Sequence, residues 1–309
     1  MQRPMGPALR RKYPLIERCT SLDRACLERE FLARNLPVVF STDSAAWRGR
    51  WSPDALATRY GRCLVETEEA QVVYVGERAH AMRPLAEMIG ALAGGDTSVR
   101  YKGLEFLSRV PGIRADLEAS LPPHRAHLPA TAHGLRDTLW IAPRGTMSSL
   151  HHDGDYDNLN LQISGRKLFL LIPPPRHVEL SAYGSAESPI NPFVPDLDRF
   201  PRFAGADPVE ALLAPGEVLL IPKYWWHAVY TVEPAVNLST HFRYAGELSP
   251  WQVLRGAPIV RRSLTVAAAA MKRRGLNRLA DTSRRLWLAA YERIVPRVPP
   301  QSRCELLDP

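Results

Sequence analysis

At 309 residues, with 45% apolar and 23% charged side chains, the chain is long enough to bury a sizeable core and has an ordinary globular composition. Four scattered cysteines (Cys19, Cys26, Cys63, Cys304) make no C-x-x-C pair. No run approaches the roughly 18 apolar residues of a membrane span. A soluble protein of a reducing, cytoplasmic compartment is therefore expected, and the basic start, Met1 to Lys12, leads into no apolar run of a secretory signal. The net charge of +8 is concentrated in the tail, where Gly246 to Pro309 carries twelve Lys/Arg against five Asp/Glu.

The first third reads as mixed structure. A helix is expected over Arg24 to Leu36, then a short buried strand at Pro37-Val38-Val39-Phe40. Ser52 as N-cap and Pro53 at the first helical position start another helix. Cys63-Leu64-Val65 and Gln71 to Val75 read as strands, and Pro84 to Ala93 as a helix ended by Gly94-Gly95. Pro122 to His133 is rich in proline and histidine and reads as a connecting loop. Its histidines, His124, His127 and His133, have no second ligand set at proper spacing and are taken as loop residues.

From Thr138 the texture becomes β. Strands are expected at Thr138 to Ala142, at Leu159 to Ile163 with period-two alternation, and at Lys167 to Ile172 up to Pro173-Pro174-Pro175. An irregular Pro-rich insert, Ser188 to Pro208, precedes further strands at Val218 to Pro222 and Ala235 to Tyr244. Short strands between Gly and Pro signals predict an antiparallel barrel or jelly roll. Beyond Trp251 the pattern turns helical, with an apolar stripe through Leu264, Ala267, Met271, Leu279, Leu286, Ala290 and Ile294 broken near Gly275. Such a basic helix could touch nucleic acid or an acidic membrane surface; the plainer reading is an amphipathic helix with a solvated Arg-rich face.

The β region also carries the pattern richest in chemistry. His151 and Asp153, two apart, point to one face of an extended strand, and His227 lies 76 residues further on. Two imidazoles and one carboxylate hold a non-heme Fe(II) while leaving positions open. Any one of the three could be an ordinary polar residue at a barrel mouth. No P-loop, G-x-S-x-G elbow or dinucleotide fingerprint competes.

In order, Ser149-Leu150-His151-His152-Asp153, Asp157-Asn158, Gln162 to Lys167, Pro173-Pro174, Pro215 to Pro222 and Tyr224-Trp225-Trp226-His227 resemble the signature of JmjC-type, cupin-like 2-oxoglutarate oxygenases. The resemblance covers roughly residues 30 to 245. It implies a mainly β fold with flanking helices: a double-stranded β-helix (jelly roll) core over 136–245, a mixed N-terminal region over 1–135 and a basic helical C-terminal extension over 246–309. It implies Fe(II) on His151, Asp153 and His227, with 2-oxoglutarate and O2 as cosubstrates. Lys167 matches the lysine that meets the far carboxylate of 2-oxoglutarate in the subgroup similar to the asparaginyl hydroxylase acting on hypoxia-inducible factor. Ser148 and Asn158 match that subgroup's further cosubstrate contacts.

The implied reaction is hydroxylation of a C–H in a peptide or protein side chain or a small molecule, with release of succinate and CO2. Nucleic acid is not the expected partner, and the apolar stripe of the C-terminal helices would pack on the barrel or form a homodimer. Two other classes stay open: a non-catalytic metal-binding cupin module, and a nucleic-acid-associated protein acting through its tail.

The sequence also departs from the pattern. Gly154-Asp155-Tyr156-Asp157 has one residue more than the commonest spacing before Asn158, which makes His152 an alternative ligand to His151. Where relatives carry an asparagine on the last strand, this chain has His241. His152, Asp155, Trp226 and His241 are the tentative substrate-facing residues, with Trp225 and Trp226 also read as wall-packing aromatics.

Overall fold

The strands follow in chain order as β1 (Arg18–Cys19), β2 (Val38–Ser41), β3 (Leu64–Glu69), β4 (His80–Pro84), β5 (Tyr101–Lys102), β6 (His133–Ala142), β7 (Leu150–His151), β8 (Asp157–Ser164), β9 (Lys167–Ile172), β10 (Glu187–Ser188), β11 (Val209–Leu213), β12 (Glu217–Ile221), β13 (Trp226–Thr231) and β14 (Ala235–Arg243). The structure is a computed structural model that describes residues 13–69, 80–93, 101–102, 110–176, 179–182 and 186–244. The expected strand at Gln71 to Val75, the Gly94-Gly95 helix end and the whole C-terminal extension lie outside these residues.

Two sheets carry the fold. The first has the order β1-β2-β12-β8-β14-β6 and the second β10-β7-β13-β9-β11; β4-β3-β5 form a small third sheet. From β6 to β14 the chain crosses between the two large sheets at every step except over β9, β10 and β11, which all lie in the second sheet. The protein is thus mainly β. The N-terminal region divides: β3, β4 and β5 form their own small sheet, whereas β2 pairs antiparallel with β12 and β1 runs parallel to β2, joining the first large sheet.

Alternation along the strands decides what each face does. In β8, Leu159, Leu161 and Ile163 pack into one core with Leu27, Phe31, Trp51, Leu56, Ile113 and Leu117 of the N-terminal helices. Asn158 and Asn160 face the space between the sheets. Every residue of β8 but Ser164 is buried, so the polar face is an interior face and not a solvated one. Each large apolar side chain buried on the outer face contributes about 1.5–3 kcal/mol. The outer face of the second sheet is covered by the Pro-rich insert, whose Ile190, Phe203 and Ala206 pack on Leu150, Leu170, Ile172, Trp226 and Ala228.

Several expectations need correction. The first helix begins where expected, with Asp23 accepting the Cys26 N–H at 2.7 Å, but widens into a π-helix at Leu27–Leu32. The segment read as a loop holds a 3-10 turn, Pro123–His127, and β6 starts five residues before Thr138. His124 is fully buried there: its Nε2–H donates to Thr240 Oγ1 at 2.6 Å, which donates in turn to Asp137 Oδ1. Burial, helped by the charges of Arg125 and His127, pushes the His124 imidazole down to about 3, so it stays neutral. β11 follows the insert directly, where no strand is expected from the sequence. No helix among the described residues is long and apolar enough to cross a membrane.

Candidate metal centre

β13 and β7 are neighbours, and their register pairs His227 with His151. That single cross-strand pair closes the 76-residue gap, since side chains of directly paired residues emerge side by side. The rings lie 4.3 Å apart between centroids. Asp153, two residues past His151, turns its carboxylate onto both: Oδ1 is 3.8 Å from His151 Nε2 and Oδ2 is 3.7 Å from His227 Nε2. Ligand atoms of the three residues all lie within 4.8 Å of one another, near enough to share one ion.

The turns that carry these residues are tied to each other. Gly154, at φ +68°, reverses the chain after Asp153, in a conformation that glycine adopts without strain. Its carbonyl accepts the Tyr224 N–H at 3.0 Å, and Asp157 Oδ1 accepts the Lys223 N–H at 3.0 Å. The loop after β7 is thereby fixed to the turn before His227. The extra residue in this spacing is absorbed by the Gly154-Asp155 turn.

His151, and not His152, stands in the cluster. Alternation turns His152 to the opposite face, where its Nδ1 accepts the Gly154 N–H at 3.0 Å and its ring meets Trp226 edge-on at 4.7 Å. The donor set fits Fe(II). His151 Nδ1–H donates to Ser149 O at 2.8 Å and His227 Nδ1–H to Trp225 O at 3.2 Å, so both rings present Nε2 inward. Burial drives the His227 pKa down, against the pull of Asp153, and keeps the ring neutral as a ligand must be. Burial alone would raise the Asp153 pKa, but His227, His241 and His151 overcome it and hold the carboxyl well below the usual range. Two neutral imidazoles and an anionic carboxylate, with no thiolate, suit a non-heme iron.

The cluster opens into a cavity of about 430 Å3 between the sheets. At its inner end lies Lys167, 5% exposed, whose Nζ donates to Asn237 Oδ1. Asn237 Nδ2 continues to Asn160 Oδ1 at 2.9 Å, and Asn160 Nδ2 to Ser239 Oγ at 2.7 Å. Among the described residues no carboxylate pairs with Lys167, and burial alone pushes its ammonium down to about 7. The register Lys167↔Thr231 and Leu171↔His227 sets it four residues along the strand from the cluster, roughly 13 Å.

Residues 24–246 match the family described as Cupin-like domain. The chain belongs to that family. HSPB1-associated protein 1 of Homo sapiens is 38% identical over 109 residues, 33% of this chain and 22% of that protein. JmjC domain-containing protein C of Dictyostelium discoideum is 35% identical over 120 residues, 35% of this chain and 28% of its own length. Lysine-specific demethylase 8 of Danio rerio is 27% identical over 232 residues, 72% of this chain and 56% of its own. The chain therefore spans between 22% and 56% of the length of these relatives. JmjC members of the cupin-like family use Fe(II), 2-oxoglutarate and O2, and this chain carries a His-Asp-His candidate triad for them.

The other residues singled out in the sequence divide. Ser148 and Asn158 line the cavity of the cupin-like domain. Ser148 Oγ accepts the Val229 N–H at 2.9 Å, which holds β13 in place beside it, and Asn158 Nδ2 reaches Asp153 Oδ2 at 3.4 Å. His241 also faces inward, with Nε2 3.2 Å from Asp153 Oδ2. Asp155 does not line the cavity; it pairs with Arg243 at 2.7 Å on the surface. Trp226 is fully buried under the insert, on the outer face of β13, so it packs and does not meet the cavity. Trp225 donates its Nε1–H to Asn35 O at 2.8 Å and anchors the N-terminal region. Sequence reasoning passed over Arg136, Trp140, Tyr156, Asn160, Glu187 and Asn237 as lining residues. For Arg136, Asn160 and Asn237 the signal is a polar residue at every second strand position, but which face is interior is not legible locally.

Proposed function

We propose that this cupin-like protein is an Fe(II)- and 2-oxoglutarate-dependent hydroxylase acting on a C–H of a polypeptide side chain, with a small-molecule substrate as the other possibility. The observation that carries the reading is Lys167. It is a buried cation without a carboxylate partner among the described residues, at the closed end of a cavity whose open end holds His151, Asp153 and His227. A buried charge needs compensation, and a dicarboxylate reaching inward from the metal supplies it. A module that only bound a metal would need no such lysine. When bound, Fe(II) with 2-oxoglutarate and O2 supplies oxidative decarboxylation to succinate and CO2 coupled to C–H hydroxylation.

The chain's own part is to hold and orient. His151, Asp153 and His227 fix one side of the metal, and the Ser149 and Trp225 carbonyls keep both rings in the required tautomer. Lys167 receives the far carboxylate, the role its position has in the asparaginyl-hydroxylase-like subgroup that the sequence resembles, and Asn237 holds the Lys167 ammonium in place. Burial between the two sheets keeps water from Lys167 at the inner end. The named relatives of this chain include a lysine-specific demethylase, which favours a polypeptide substrate. A cytoplasmic location, from cysteine usage, belongs to the same proposal.

The test is Fe(II)-dependent succinate formation together with metal binding by calorimetry. His151→Ala, Asp153→Ala and His227→Ala should each lose both, and His152→Ala should keep the metal. Succinate formation that persists in all three triad variants refutes the proposal.

A further inference from the structure

The cavity has a second cation that the cosubstrate cannot use. Alternation along β6 turns Arg136, Thr138, Trp140 and Ala142 to the cavity. The register with β14 pairs Trp140 with Asn237, at the level of Lys167, and Arg136 with His241, at the level of Asp153. Trp140 and Arg136 are four residues or roughly 13 Å apart along β6, so Lys167, beside Asn237, and Arg136 lie at opposite ends of this row. In the proposed reading, on which this inference rests, 2-oxoglutarate uses one carboxylate at the metal and the other at Lys167. An anion at Arg136 must therefore belong to the other ligand, the molecule that is oxidised.

Arg136 is poised for this. Its guanidinium carbon lies 5.0 Å from the centre of the Tyr156 ring, and among the described residues no carboxylate pairs with it. Tyr156 also takes Arg243 on its ring at 4.0 Å, but Arg243 is already satisfied by two contacts to Asp155, at 2.7 and 3.3 Å. Arg136 is exposed, and stacking occupies the face of its guanidinium and not the N–H edges, which suits bidentate capture of a carboxylate or phosphate. The negative group at the mouth, Glu187, is register-paired with His151 on the edge of the other sheet and is itself engaged. Glu187 stands on the other sheet from Arg136, and Asp155 on the Arg136 side is paired with Arg243, so an incoming anion is directed to Arg136.

We infer that Arg136 is a specificity-determining residue that receives an acidic group, from Asp, Glu or a phosphorylated residue, flanking the oxidised position of a polypeptide substrate. The experiment uses the full chain loaded with Mn(II) and an unreactive 2-oxoglutarate analogue, whose binding is measured first. Fluorescent pools of matched short peptides are then titrated by anisotropy, one enriched in Asp/Glu, one in phosphoserine, one in Lys/Arg and one neutral.

An acidic pool should bind tightest, and the better of the two acidic pools names the source of the anion. Arg136→Ala should weaken acidic-pool binding about tenfold, the scale of one charge-assisted contact. Arg136→Lys should recover part of this, and Arg136→Glu should reverse the order toward the basic pool. A merely structural role would weaken all pools alike. Wild-type preference for the neutral or basic pool, or an unchanged order of pools in Arg136→Glu, overturns the inference. Failure of Mn(II) and the analogue to bind at the outset would instead overturn the proposed function.

Discussion

Replacing Lys167 by methionine should stabilise the fold while removing the cosubstrate site, because one buried charge is responsible for both. Methionine keeps the unbranched stem and removes the ammonium. Holding this lysine near 7, where the ordinary value is about 10.4, costs the folded state about 4 kcal/mol at pH 7, as an order of magnitude. The sign follows from proton binding. Between those two values the unfolded chain holds the proton more tightly, so stability is undiminished above pH 10.4 and the penalty grows as pH falls toward 7. The variant leaves Asn237 Oδ1 without its donor, which offsets about 1 kcal/mol. A net gain of about 3 kcal/mol at pH 7 is expected, shrinking as pH rises through 9.5. Urea denaturation of both proteins across that range measures it. In parallel, the apparent KM for 2-oxoglutarate should rise about 10- to 150-fold, the range of a hydrogen-bonded charge worth about 1.5–3 kcal/mol. A variant less stable than wild type by a pH-independent amount, or one with unchanged KM, would refute the reasoning.

Asp157 gives the opposite sign. Burial, only partly countered by Lys223, raises its carboxyl to about 6. The folded state then holds the proton more tightly than the unfolded chain, so stability present near pH 4 is lost as pH rises through 6, by about 3 kcal/mol. Asp157→Asn keeps an acceptor for the Lys223 N–H, and its stability relative to wild type should improve by that amount between pH 4 and 7 in the same denaturation assay. Gly165→Ala should cost at least about 2 kcal/mol, because Gly165 sits at φ +65° and a Cβ would overlap the Pro234 carbonyl oxygen. A thermal midpoint within a degree of wild type would contradict that account.

Local patterns reported well where one residue's chemistry decides the structure. Ser52 caps its helix through the Ala55 N–H at 3.3 Å with Pro53 behind it, as the dipeptide signals. The strands at 38–41, 167–172 and 217–221 appear where short apolar runs between Gly and Pro place them. Patterns failed where the deciding contact was remote. His124 carries the composition of a loop, and only the approach of Thr240, 116 residues away, makes it a core residue. β11 had too little alternation of its own and is specified by its ladder to β9.

The sequence by itself determined the ligand types: an H-x-D whose two side chains share a face, a distant histidine, and a lysine at the head of an apolar strand. Those follow from strand periodicity and donor chemistry, which are local. Tertiary structure alone decided that His151 and not His152 joins the cluster, because the cross-strand register with His227 selects one face of β7. It also decided which face of each alternating strand is the inside. In β8 and β14 the apolar side chains lie outward under helices, and Asn158, Asn160, Asn237, Ser239 and His241 line the interior. A period of two records that the faces differ; only the layer packed against each face determines which becomes the site.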